Sequence, residues 1–278
     1  MKHFSLIGHP LGHSMSPLIH DALFKLRNRS ASYSLTDIPP SELADNSTLF
    51  HSLDGFNVTI PHKVNIIPFM DSLDESAARY NSVNCVMRCD NKLIGFNTDC
   101  DGLLISTADY PLDKNVLLIG CGGVGRMMAI EIALHGGCLT LGIIPDAMDS
   151  AVRLKNEILS LVPDACVNIS LISQINSSFN VVINATPVGM FPNSNACPVG
   201  DSIIESCSHV FDAVYNPVET LLIKKARQMG KIASGGAAML VCQAVKAHQI
   251  WDGDSYSQSE ILGIIKSVED SINKNYNV

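Results

Sequence analysis

The stretch "VLLIGCGGVGRMMAIEIALHGG" (116–137) constrains the fold more than any other part of the chain. An apolar run, "NVLLIG" (115–120), ends on a glycine, and Gly120, Gly122 and Gly125 follow in the G-x-G-x-x-G spacing. An apolar pattern of helical period then runs from Gly123 to His135. Glycines between a strand and a helix permit a tight turn and close backbone approach to a pyrophosphate, whose charge the helix N-terminus stabilises. The same glycines could serve packing alone. The strand before and the helix after are the context that makes the nucleotide reading specific.

The rest of the chain repeats this alternation. "FSLIG" (4–8) reads as a strand, and "SPLIHDALFKL" (16–26) as a helix with Ser16 as N-cap and Pro17 at the first helical position. "GFNVTI" (55–60) is a strand and "SLDESAARY" (72–80) a helix. "VNCVMR" (83–88) and "KLIGFNT" (92–98) form strands around an Asp90–Asn91 turn. Beyond the glycine loop, strands are expected over 139–144, 167–172, 180–186, 209–215 and 231–236, and helices over 150–161 and 219–230, the latter closed by Gly230. Residues 238–251 and 260–272 are helical. Strands alternating with helices of this length mean βαβ units and a parallel sheet. The expected fold is α/β in two domains. Residues 1–103, to which 238–278 return, bind substrate, and 104–237 form a doubly wound, Rossmann-type dinucleotide-binding domain.

Several function classes are excluded on composition. A net charge of −8 argues against a nucleic-acid surface. No window holds the roughly 18 apolar residues of a membrane span. The first 17 residues, broken by Gly, Pro and His, are expected to be a strand and loop, with no signal peptide. Nine cysteines without CxxC pairs suggest free thiols in a reducing compartment, so a cytoplasmic location is expected. His9, His13, His20 and His62 lack acidic neighbours and are read as structural, and no metal is expected.

An acid at the end of the strand after the glycine loop bonds a ribose 2′-hydroxyl, whereas an Arg accommodates a 2′-phosphate. Here "LTLGIIPDAMDSAVRL" offers Asp146 and Asp149 and no cation before Arg153, so NAD is favoured over NADP, with Asp146 on the ribose. "NVTIPHK" (57–63) sets one lysine, Lys63, among apolar residues. Taken alone it is a solvated cation at a strand end.

Eight segments in order, "GHPLGHSMSP", "FNVTIPHK", "SVNCV", "GFNTDCDG", "GCGGVG", "NATPVGM", "DAVYNPVETLLIKKA" and "GGAAMLVCQAVKAHQIW", resemble the shikimate dehydrogenase family, including its quinate/shikimate and aminoshikimate members. The resemblance covers nearly the whole chain. It implies an α/β substrate domain facing a Rossmann domain across a cleft, and reversible oxidation of a ring alcohol of a hydroxylated ring carboxylate by hydride transfer to nicotinamide. On the family's pattern Lys63 and Asp99 are the catalytic pair. Ser14 and Ser16 hold the carboxylate, with Tyr215 near it, and Thr59, Asn84, Asp99 and Gln243 hold ring hydroxyls. The cofactor meets Gly120, Gly122, Gly123, Val124 and Gly125, then Asn184, Ala185, Thr186 and Ala213, with Gly236 and Met239 at the nicotinamide. A monomer or homodimer is expected.

These residue types suit the chemistry. Hydride leaves carbon as the hydroxyl proton leaves oxygen, and an amine beside a carboxylate can shuttle that proton. A polyol needs many convergent donors and acceptors. Ordinary roles stand beside each assignment: Ser16 as a cap, Thr59 as a β-former, Asn84 as a turn residue, Asp99 as the cap of a helix near Gly102. The chain departs from the family at Asn81, Ser82 and Cys85 and in lacking the usual Asn-Arg-Thr phosphate clamp. The missing clamp places it nearer the NAD-using quinate/shikimate branch. An aminoshikimate-type enzyme or a non-catalytic metabolite-binding paralogue are the alternatives.

Overall fold

The computed structural model describes residues 1–12 and 14–276. The protein divides into two compact units: Met1–Gly102 with Val241–Val268, and Leu103–Leu240 with Glu269–Val278.

In the first unit β1 (Lys2–Gly8), α1 (Ser16–Leu26), β2 (Ala31–Asp37), α2 (Ser47–Phe50), β3 (Gly55–Val58), β4 (Ser72–Leu73), α3 (Glu75–Tyr80), β5 (Cys85–Cys89) and β6 (Lys92–Phe96) follow in order, and α4 (Asp99–Ser106) begins there. The sheet runs β2-β1-β3-β5-β6-β4. β1 is parallel to both its neighbours, and β5 is antiparallel to both of its own. Alternation along β1 gives the sheet two apolar faces. Phe4 and Leu6 pack with Phe24, Tyr33, Cys85, Ala247 and Trp251, and Ile7 packs with Ile38, Phe50 and Phe56. The return of α9 (Gly236–Asp252) to this unit is fixed by Trp251, which stacks on Phe4 at 4.5 Å and donates Nε1–H to the Val86 carbonyl at 2.9 Å. The β5–β6 hairpin turns on Asp90 and Asn91, both at positive φ, and Asn81 (φ 46°) closes α3 in the left-handed conformation. Such a conformation suits Asn and Asp better than most residues.

His20 and His248 are buried against this face, with His20 Nδ1 3.0 Å from His248 Nε2 and His248 Nδ1 3.1 Å from the Tyr256 hydroxyl. Burial drives the pKa of both down, His248 to about 4 from an ordinary 6.5. The unfolded chain therefore binds protons that the folded one refuses, so stability is full above pH 6.5 and is lost as pH falls toward 4. Glu260, which Arg27 holds at about 2, keeps its full contribution down to its ordinary 4.5 and loses it only below that. Between pH 6.5 and 4.5 His248 alone should thus lower the folding free energy by about 2 kcal/mol, and His20 adds to the drop. Urea unfolding at steps of pH checks this, and the limb should become shallower in His248→Gln, where buried His20 still titrates.

In the second unit β7 (Asn115–Ile119), α5 (Gly123–Leu134), β8 (Cys138–Ile143), α6 (Met148–Leu161), β9 (Val167–Leu171), β10 (Val181–Asn184), α7 (Asp201–Ser206), β11 (His209–Asp212), α8 (Leu221–Gln228) and β12 (Ile232–Gly235) build a wholly parallel sheet ordered β12-β11-β10-β7-β8-β9. That is the doubly wound order, which reverses between β7 and β10, the place where such sheets bind ligands. Leu117, Ile119, Val182 and Val210 pack on α7 and α8 through Ile203, Ile204, Leu222 and Ile223. The helix α10 (Gln258–Tyr276) is divided between the units, its residues from Glu269 onward belonging to this one.

Three expectations change here. Ser16 lies in the first turn of α1, with Met15 at the N-cap and no side-chain cap bond. The helix over 72–80 starts at Glu75, because Asp74 caps it through the Ser76 N–H and Ser72–Leu73 pair with β6. The cysteines are not all free thiols: Cys138 and Cys166 are disulfide-bonded. They flank the Leu139↔Val167 pairing of β8 and β9, which brings their Cα atoms to 4.6 Å.

Candidate active site

In the first unit the chain reaches Lys63 through a turn that its own backbone ties down. The Thr59 N–H donates to the Ile7 carbonyl at 2.8 Å, and the His62 N–H to the Thr59 carbonyl at 2.9 Å. His62 is buried with Nε2 2.6 Å from the Ile38 carbonyl, so it anchors the turn as a structural histidine. His9 lies 2.6 Å from Asp37, and His13 falls outside the described residues. The Lys63 backbone carbonyl accepts from the Val83 N–H at 2.8 Å, which ties the lysine's backbone to the residue before Asn84. Asn84 is held by its N–H to the Phe96 carbonyl (3.0 Å) and its carbonyl to the Val58 N–H (2.9 Å). Asp99 is the first residue of α4 and its N–H donates to Asn97 Oδ1 at 3.1 Å, so its carboxylate does not cap the helix and is left to other partners.

Those partners are the site. Lys63 Nζ donates to Asp99 Oδ2 at 2.5 Å, and Asn84 Nδ2 donates to Asp99 Oδ1 at 2.8 Å. The lysine and aspartate side chains are 24% and 17% exposed, enough for a ligand to reach them and little enough to limit screening by water. Asn84 Oδ1 accepts from the Thr98 N–H at 2.7 Å, and Gln243 Oε1 lies 3.3 Å from both Asn84 Nδ2 and Thr98 Oγ1. Buried Thr98 thus fixes the orientation of two candidate side chains. It is the residue that sequence reasoning missed, although "NTD" contains it. Its signal was a hydroxyl immediately before Asp99, beyond the end of β6.

Ser14 and Ser16 adjoin at the start of α1, where Ser14 Oγ accepts the Ser16 N–H at 3.2 Å. Thr59 is half-buried at the turn leading to Lys63. Lys63, Asn84, Asp99 and Gln243 are the expected residues joined by hydrogen bonds.

In the second unit a cavity of about 730 Å³ opens at the carboxyl ends of β7, β8, β9 and β10, lined by Gly120, Gly122, Ile144, Ile172, Ala185 and Thr186 among others. A methyl group on Gly122 or Gly123 would meet no protein atom within 4 Å, so the loop leaves a cradle open at the start of α5. That cradle fits a dinucleotide phosphate, with backbone N–H groups as donors. Gly125 lies against Gly120 instead, and Val124 belongs to the same first turn. Asn184 is fully buried and its amide is internally bonded: Nδ2 donates to Asp212 Oδ1 (2.9 Å) and the Val188 carbonyl (3.1 Å), and Oδ1 accepts from Thr186. Burial raises the pKa of Asp212, while Thr220, Val214 and Asn184 donate to it. Ala213 donates its N–H to the Asn184 carbonyl, and Gly236 to that of Val214. Met239 is buried in α9 and Tyr215 is exposed after β11.

Residues 6–86 match the shikimate dehydrogenase substrate binding domain. A shikimate dehydrogenase (NADP(+)) from Shouchella clausii is 36% identical over 259 residues, covering 91% of this chain and 93% of the relative. Among solved structures, a shikimate dehydrogenase in complex with NADP+ superposes with a TM-score of 0.89 at 32% identity, over 98% of this chain and 96% of the other. The Thermus thermophilus enzyme in complex with NADP(H) and shikimate gives 0.85 at 26% identity, over 96% and 100%.

These findings overturn the expected preference for NAD: the curated relatives are named for NADP, and two of the similar solved structures hold it. The geometry shows why Asp146 misled. It is exposed in the short turn Pro145–Ala147 and does not line the cavity, although Pro145 and Ala147 do. Absence of a nearby cation was also too strict a criterion, because a phosphate can be held by backbone N–H groups at a helix start.

Proposed function

The chain belongs to the shikimate dehydrogenase family, and on that premise we propose how its side chains divide the reaction. The enzyme interconverts 3-dehydroshikimate and shikimate, acting on CH–OH with NADP as acceptor. Lys63 and Asp99 are the proton-transfer pair. In oxidation the Lys63–Asp99 pair takes up the ring-hydroxyl proton as hydride leaves carbon, and in reduction it returns that proton. NADP, when bound, supplies the hydride acceptor. Gly120, Gly122, Gly123 and Val124 bind its phosphates, and Ala185, Thr186, Ala213, Gly236 and Met239 lie along it.

Ser14 and Ser16 donate to the substrate carboxylate, with Tyr215 as a further partner. Thr59, Asn84, Asp99 and Gln243 read the ring hydroxyls. Thr98 is a positioning residue that keeps the Asn84 amide turned toward Asp99. The substrate part is 1–103 with the returning C-terminal helices, the dinucleotide part is 104–237, and the enzyme is cytoplasmic. The observation that carries this reading is the 2.5 Å contact of Lys63 with Asp99, inside a network that also engages the second carboxylate oxygen. A metabolite-binding protein without catalysis would need no such pair.

Initial rates with NADP and shikimate, quinate or aminoshikimate test the assignment. Shikimate should give the highest kcat/KM, and saturable shikimate binding without NADPH formation would reject it.

A further inference from the structure

A second cavity, about 290 Å³, lies wholly within the second unit and shares no lining residue with the dinucleotide cavity. Its walls come from the loop after β10, the segment joining β11 to α8, α8 itself and α10, and include Phe191, Asn216, Glu219, Leu221, Lys224 and Ile272. Its volume is at the small end for ligand sites, so an occupant would be smaller than a drug-sized molecule.

Two polar groups in these walls are incomplete. Asn216 Oδ1 is buried and receives no hydrogen bond. A buried acceptor without a donor is costly unless water or a ligand supplies one. The Asn216 backbone carbonyl, by contrast, accepts from the Phe191 N–H at 3.0 Å, so the segment is held in place while the buried side-chain oxygen is left over. The second group is Lys224. Its neighbours on α8 have counter-ions: Lys225 pairs with Asp201 at 2.6 Å and Arg227 with Glu219 at 2.5 Å. Lys224, the α8 cation that lines the cavity, has no ion-pair partner among the described residues.

We propose that this cavity binds a free α-amino acid, its carboxylate on Lys224 and its ammonium on Asn216 Oδ1 and Glu219, with its side chain against Phe191, Leu221 and Ile272. An ammonium supplies donors to the orphaned amide oxygen and meets the Glu219 carboxylate, while the carboxylate supplies the missing partner of Lys224. A hydroxy acid shares the carboxylate and a donor, but brings no second cation for Glu219, whose Oε1 alone is engaged by Arg227. The amino acid is therefore the better match to a wall that carries both signs of charge.

The test uses the full chain with saturating NADPH and shikimate, a pair that cannot react with each other, so that the sites described above are occupied without turnover. Each of the twenty amino acids is added at about 10 mM, some tenfold above a millimolar Kd, and binding is read by calorimetry and by thermal shift. At least one should bind saturably. Its α-hydroxy analogue and its amide should each bind at least about tenfold more weakly, as expected when one charged contact is lost. Lys224→Met should weaken binding by a similar factor while leaving the melting temperature of the ligand-free protein unchanged, since the ammonium has no partner to lose. The proposal is overturned if no amino acid binds, if the hydroxy analogue or the amide binds as well as the amino acid, or if Lys224→Met binds as tightly as the parent.

Discussion

Lys63→Met should lower kcat for shikimate oxidation by about 10²- to 10⁴-fold, the usual contribution of a positioned acid–base group. The KM for NADP should stay within a factor of about two, since Lys63 and the dinucleotide cavity belong to different units and the substitution alters no backbone (a change below about 0.4 kcal/mol). Methionine keeps the stem of the side chain and removes only the amine. Stability should change little, because a partly exposed ion pair contributes about 0–1 kcal/mol. Added alkylamine should restore part of the lost rate if the missing function is proton transfer. Near-normal kcat would take Lys63 out of the chemistry, and a large fall in melting temperature would recast it as a structural strut.

The expectation is strong because Asp99 is held from two sides. With Asn84 on Oδ1 and Lys63 on Oδ2, the carboxylate cannot rotate away without breaking one bond. The Asn84 amide cannot flip either, since its Oδ1 accepts the Thr98 N–H. A proton shuttle requires its atoms to be in place before substrate arrives. Asp99→Asn should therefore cost rate even though Asn is isosteric, because it leaves the Lys63 ammonium without its counter-charge.

How much of this was legible in the sequence depends on whether neighbours along the chain or across it determine a feature. β7 could be read from "NVLLI" because a strand buried on both faces is apolar throughout. β2 could not. Its residues, "ASYSLTD", sit at the sheet edge with only Tyr33 buried, so they lack the hydrophobic alternation that marks a half-buried strand. Lys63 and Asp99 are thirty-six residues apart, and composition alone gave no reason to join them; the ordered motifs did. The Cys138–Cys166 bond depends on the register of β8 against β9, which no local pattern reveals. Asp146 shows the reverse error, a side chain of the right type near the right strand that does not line the cavity.

The glycine loop supports a prediction of comparable size, because its glycines serve two different purposes. Gly120 adopts φ +100°, and a Cβ on Gly125 would lie 2.4 Å from the Gly120 carbonyl oxygen, a backbone atom that cannot step aside. Gly125→Ala should therefore force the loop away from α5, at a cost of about 1–3 kcal/mol in stability and a rise of roughly ten- to a hundredfold in the KM for NADP. Gly122→Ala adds its methyl to open space in the ligand-free protein. It should leave the melting temperature unchanged and still raise the KM for NADP, because the methyl then occupies the space kept for the phosphates. Melting curves and NADP titrations of the two variants separate these outcomes. A destabilised Gly122→Ala, or a Gly125→Ala protein with both properties intact, would mean that the loop does not hold the cofactor in the way its open cradle implies.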